Sequence, residues 1–138
     1  MISAVIDTNC LILSVPSKNP EHWLYQAFRD KRFEWILSNE ILAEYEEQVG
    51  LFYSVNTANI VLDILVSSPN VRFVEPFYHW NLMTNDADDN KFVDCAIASN
   101  AQCIVTNDKH FKILDTIPFP KVEYMSPELF KGMVYGYI

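Results

Sequence analysis

The chain has 138 residues, 50% hydrophobic and 20% charged, with only 3 Gly. That balance excludes a disordered chain, and the length argues for a single domain over residues 1–138 that buries a core without structural metals or disulfides. Acidic residues outnumber Lys and Arg by 18 to 10, a net charge of −8, which argues against a generic nucleic-acid coat. It leaves room for a cleft whose carboxylates are neutralised by divalent cations, and it suits a basic protein partner.

Cys10, Cys95 and Cys103 sit in apolar runs without CxxC or Cys/His metal spacing. They are read as buried, reduced thiols of a cytoplasmic protein. No apolar run approaches the roughly 18 residues of a membrane span, and the N-terminus has no basic segment of a signal peptide. The expectation is a soluble protein with no membrane partner.

In chain order, Ser3-Ala4-Val5-Ile6 is a buried strand that stops at Asp7-Thr8-Asn9, read as turn formers. Glu21 to Arg32 carries Trp23, Ala27, Leu24 and Phe28 at helical spacing. Phe33 to Leu37 is a second strand. Ser38 follows as the N-cap of a helix striped by Ile41, Leu42, Tyr45 and Val49, with Gly50 where that helix ends or bends. Asn56 to Ser67 is another helix, and Val71 to Val74 a short strand. Asn85 to Asn90 is a cap-rich entrance to a helix with Phe92, Val93, Ala96 and Ile97. Cys103-Ile104-Val105 is a third buried strand, ending at Thr106-Asn107-Asp108, before a short helix with Phe111 and Leu114. Lys121 to Tyr124 is one more strand, and Ser126-Pro127 caps a last helix. The alternation predicts an α/β fold with a mainly parallel central sheet.

Ligands of open parallel sheets bind beyond the carboxyl ends of the strands. Asp7 and Asp108 both stand there, Glu44 lies on the helix after the second strand, and Asp86, Asp88 and Asp89 open the helix before Cys103. Four segments thus deliver carboxylates to one edge. Crowded carboxylates repel and raise one another's pKa values unless cations bind them. Oxygen ligands suit Mg²⁺ or Mn²⁺, and such ions support phosphodiester hydrolysis.

The ordered motifs Val5-Ile6-Asp7-Thr8-Asn9, Leu37 to Tyr45, Asp86 to Phe92 and Ile104 to Asp108 resemble those of PIN-domain ribonucleases, on the prokaryotic branch of VapC-type toxins. The resemblance spans Ile2 to about Phe130. It implies a three-layer α/β/α fold and divalent-metal-dependent cleavage of RNA, with a small antitoxin protein and a second copy of the chain as further partners. It also implies Asp7, Glu44, Asp89 and Asp108 as catalytic, metal-binding acids and Asn9, Ser38 and Thr106 as supporting hydrogen-bond residues. Many relatives carry an acid two positions after the one matching Asp108. Here His110 stands in its place, which weakens the side for a second metal.

On the helix after Asp86 either Asp89 or Asp94 could supply the inward carboxylate. Asp89 is favoured, with Asp86 and Asp94 as supporting acids behind it. Each acid also has a bland reading. Asp7, Asp86, Asp88, Asp89 and Asp108 could be caps or turn formers, and Glu44 part of a solvated helix face. Lys91, Lys109 and Lys112 flank the motifs as candidate phosphate contacts, against ordinary surface placement. Trp23, Phe28, Trp35, Phe92 and Phe111 are assigned to the core rather than to base stacking. The segment Met133 to Ile138 is a frayed tail or an oligomer contact. Two other functions compete: a PIN-like module that binds RNA or protein without turnover, and a receiver domain, which lacks here the acidic pair it needs after the first strand.

Overall fold

The computed structural model of the chain describes residues 1–136. Strands β1 (Ile2–Ile6), β2 (Phe33–Leu37), β3 (Val71–Phe73), β4 (Cys103–Val105) and β5 (Tyr124–Met125) form one sheet in the order β3-β2-β1-β4-β5. Every pairing in it is parallel. The helices are α1 (Thr8–Ser14), α2 (Trp23–Arg29), α3 (Asn39–Phe52), α4 (Val55–Ser67), α5 (Asn90–Ser99) and α6 (Pro127–Tyr135). Parallel neighbours need crossovers, and crossovers are right-handed. The steps from β1 outward to β3 therefore put α1 to α4 on one face, and the return to β4 puts α5 on the other. The result is the expected three-layer α/β/α fold.

Being covered on both faces, the central strands read as continuous apolar runs. Ala4, Val5 and Ile6 in β1, Trp35, Ile36 and Leu37 in β2 and Ile104 and Val105 in β4 are fully buried. Phe28, Phe33, Trp35 and Phe130 stack edge to face and at tilted angles with centroids 5.0–6.1 Å apart. Each such ring contributes roughly 1.5–3 kcal/mol through burial. Phe92 and Phe111 are likewise buried, as are all three free cysteines. Burial pushes the three thiols up to about 12, which keeps them unreactive. No helix among the described residues is long and apolar enough to cross a membrane.

Several elements differ from expectation. Thr8-Asn9 do not form a turn but open α1, whose Cys10, Leu11 and Ile12 are buried. The helix expected from Glu21 to Arg32 begins as a 3-10 turn at Pro20–His22 and ends at Arg29, where Lys31 takes a positive φ of 58° to turn the chain into β2. Gly50 lies inside α3, which continues to Phe52. The last strand is Tyr124–Met125 rather than 121–124. Gly136, at φ 77°, closes α6 in the left-handed conformation that glycine adopts freely. Residues 137 and 138 of the expected tail lie outside the described residues.

Candidate metal centre

The strand order reverses at β1, with β2 and β3 on one side and β4 and β5 on the other. Such a switch point opens a crevice beyond the carboxyl ends of the two diverging strands. Asp7 follows β1 there and Asp108 follows β4. Asp7 N–H donates to the Val105 carbonyl at 3.0 Å, and the Asp7 carbonyl accepts from Cys10 N–H at 3.0 Å, starting α1. Its carboxylate makes no capping bond to that helix. Instead the Thr106 hydroxyl donates to Asp7 Oδ2 at 2.7 Å and accepts from Asp108 N–H at 2.9 Å.

Tyr45 ties α3 to the same place. Its buried hydroxyl donates to the Ile6 carbonyl and accepts from Trp35 Nε1 at 3.2 Å. One residue earlier, Glu44 enters the cleft, where it accepts from the Thr8 hydroxyl and pairs with Lys91 Nζ at 2.8 Å.

Asp86 and Asp89 occupy cap positions at the 3-10 turn Ala87–Asp89 and at α5, yet neither side chain caps its helix. The bland reading of these two as caps does not describe them. Asp108 does cap, accepting from His110 N–H at 2.9 Å. Ligand atoms of Asp86, Asp89, Asp108 and His110 all lie within 4.8 Å of one another. His110 Nδ1 is 3.1 Å from Asp86 Oδ2 and 3.3 Å from Asp108 Oδ1. Asp7, Glu44, Asp86, Asp88, Asp89 and Asp108 together line an open cleft of about 250 Å³.

The crowding leaves an electrostatic signature. Burial, then the charges of Asp7 and Asp86 and the contact with Asp108, push Asp89 up to about 8. Burial also raises Asp7, joined by the charges of Asp108 and Glu44 and opposed by the hydrogen bond from Thr106. Asp89 Oδ2 is buried and has no hydrogen-bond partner. Such an orphaned acceptor is costly unless something positive meets it. Carboxylate oxygens with one imidazole are a donor set suited to a small divalent cation. The residues present therefore fit one.

Among the other expected residues, Asn9 is exposed at the cleft wall. Ser38 is buried as the N-cap of α3, accepting from Ile41 N–H at 3.2 Å. Asp94 does not reach the cleft: its carboxylate accepts from Trp80 N–H at 3.1 Å and lies 3.4 Å from His79 Nδ1, so it anchors the loop before α5. Lys91, expected as a rim contact for phosphate, is turned inward onto Glu44. Lys109 stands at the mouth of the crevice beside Asp7 and Asn9, and Lys112 is exposed on the turn beyond it. His110 has a larger place in the cluster than its sequence position alone conveyed.

A family model described as PIN domain matches residues 3–110. The chain belongs to the PIN domain family. A comparison with curated proteins finds no match. Among solved structures, VapBC2 of Rickettsia felis, bound to a DNA fragment from its promoter, is similar with a TM-score of 0.63 and 21% identity, over 91% of this chain and 98% of that one. VapC20 of Mycobacterium tuberculosis, described as a toxin that cleaves the sarcin-ricin loop, gives 0.58 and 14% over 87% and 98% of the two chains. FitAcB of Neisseria gonorrhoeae gives 0.57 and 18% over 91% and 98%. At these identities the likeness establishes the PIN fold.

Proposed function

We propose that this PIN domain is a divalent-metal-dependent endoribonuclease that hydrolyses RNA phosphodiester bonds, with Mg²⁺ or Mn²⁺ as its ion, and that it serves as the toxin of a toxin–antitoxin pair. The observation that carries the reading is the unpartnered, buried Oδ2 of Asp89 inside the cluster with Asp86, Asp108 and His110. Those four side chains would hold the ion. A bound divalent cation supplies the charge that draws a phosphodiester into an acidic cleft and acidifies water for in-line attack.

The chain's own groups complete the arrangement. Thr106 fixes the Asp7 carboxylate, and the raised pKa of Asp7 suits it to take a proton from attacking water. Lys109, at the cleft mouth, is placed to meet a backbone phosphate. Asn9 and Ser38 support the walls, Ser38 by starting the helix that carries Glu44. The likeness to VapBC2 and FitAcB supports a small antitoxin protein as partner.

The test is a titration of Mn²⁺ or Mg²⁺ into an RNA cleavage assay with the wild type and Asp7→Asn. Substituting an amide for the carboxylate removes charge with little change of shape, and a loss of cleavage of at least about a hundredfold is expected. Equal cleavage by both proteins removes Asp7 from the mechanism, and absence of any metal-stimulated cleavage rejects the function.

A further inference from the structure

Lys91 lies in the first turn of α5, the helix end where a cation is least favoured by the backbone dipole. It is nonetheless drawn in: its side chain is only 9% exposed, and its ammonium lies 5.5 Å from the Phe92 ring centroid. Nζ donates to the Asp88 carbonyl at 2.5 Å and sits 2.8 Å from Glu44 Oε1. Confining a lysine costs side-chain freedom before any loss of hydration. The Glu44 carboxylate is the charge on hand to offset that cost.

The two sides of the cleft therefore differ. Glu44 Oε1 has the ammonium and Oε2 has the Thr8 hydroxyl, so both of its oxygens are engaged. Asp89 Oδ2 has no hydrogen-bond partner, and Asp89 belongs to a cluster with Asp86, Asp108 and His110 whose ligand atoms all lie within 4.8 Å of one another. We propose that Lys91 is a built-in cation on the Glu44 side, so that the chain takes one divalent ion, held among Asp86, Asp89, Asp108 and His110, rather than two. Glu44 is then the partner of Lys91 and not a ligand of the ion, and Lys91 is a positioning residue that sets the number of ions. This inference rests on the metal-dependent reading above.

The experiment is calorimetric titration of Mn²⁺ into the metal-stripped protein, which needs no substrate and no activity. The wild type is expected to bind one ion per chain. Lys91→Met, which keeps the apolar stem and removes the charge, is expected to bind a second, weaker ion, and adding Glu44→Gln to it is expected to restore one. Lys91→Arg keeps the count at one. In the wild-type background, Glu44→Gln is expected to change the Mn²⁺ affinity by less than about threefold, whereas Asp89→Asn weakens it by more than about tenfold.

Two ions on the wild type overturn the proposal. So does a single ion on folded Lys91→Met, or a loss of affinity in Glu44→Gln matching that in Asp89→Asn. The last comparison decides the matter even if Lys91→Met does not fold. No ion bound by the wild type at millimolar Mn²⁺ is a different result, because it rejects the metal-dependent function together with the inference.

Discussion

The Thr106 hydroxyl donates to Asp7 Oδ2 across 2.7 Å, joining two residues that are 99 positions apart at the ends of adjacent strands. Thr106 Oγ1 in turn accepts from Asp108 N–H at 2.9 Å. Thr106→Val keeps the shape and removes both bonds, leaving a carboxylate oxygen and a backbone donor without partners. A loss of about 1–3 kcal/mol in urea denaturation is expected. The bond from Thr106 lowers the Asp7 pKa against burial, so its removal is also expected to raise that pKa further and to weaken cleavage more at pH 6 than at pH 8. Unchanged stability and an unchanged pH profile would show that the hydroxyl is a bystander.

Asp89 predicts how the metal-free protein responds to pH. Its ordinary value is 3.8 and the fold pushes it up to about 8. A raised carboxyl favours the protonated, folded form, so this contribution is fully present below pH 3.8. It declines as pH rises, because the unfolded chain releases a proton that the folded chain retains, and it is gone above about 8. Metal-free protein should therefore lose melting temperature across that window. Asp89→Asn should flatten the slope, stabilise metal-free protein at pH 8 by about 0.5–2 kcal/mol and abolish stabilisation by Mn²⁺. Thermal melts with and without chelator measure all three. A variant that is less stable than the wild type without metal, yet still stabilised by Mn²⁺, would contradict the crowding described.

Much of this site is legible in the chain itself, for a physical reason. Parallel sheets place ligands beyond strand ends, so Asp7 after an apolar run and Asp108 after Cys103-Ile104-Val105 fall together without knowledge of strand order. The Ser38 and Ser126 caps are legible because a hydroxyl before a helix has one local job, done here at 3.2 and 3.3 Å. Helix α1 is not legible. Thr8 and Asn9 are ordinary turn formers, and the buried run behind them lacks a polar face to show a helical period. Lys91 escapes for another reason: its partner Glu44 lies on a different helix, and only the packing of α3 near α5 brings them together. The choice between Asp89 and Asp94 likewise depends on which face of α5 the loop at Trp80 covers.

His110 takes the position where the resemblance leads one to expect an acid, and its Nδ1 lies 3.1 Å from Asp86 Oδ2. An imidazole favours later first-row metals over Mg²⁺, whereas a carboxylate favours the harder ion. His110→Asp is expected to reduce the preference for Mn²⁺ over Mg²⁺ by about tenfold in competition titrations. It should also lower the stability of metal-free protein by adding a like charge. An unchanged preference would place His110 outside the coordination shell.

Gly50 offers a control away from the cleft. It lies within α3, and a methyl group there would meet Ala58 Cβ at 3.9 Å, an ordinary contact. Gly50→Ala is expected to stabilise the fold by about 0.5–1 kcal/mol, because glycine in a helix interior loses more freedom on folding. Metal affinity should not change. Destabilisation would mean that the α3–α4 packing has no room for the methyl.

Whether one ion sits among these acids is decided by a crystal structure of the chain grown or soaked with Mn²⁺, read by anomalous scattering. The expected result is a single anomalous peak at the carboxyl ends of β1 and β4, coordinated by Asp89 Oδ2 with Asp108 and Asp86 or His110, while Lys91 Nζ stays on Glu44. An empty cleft at millimolar Mn²⁺, with Asp89 turned away from Asp108, would contradict it.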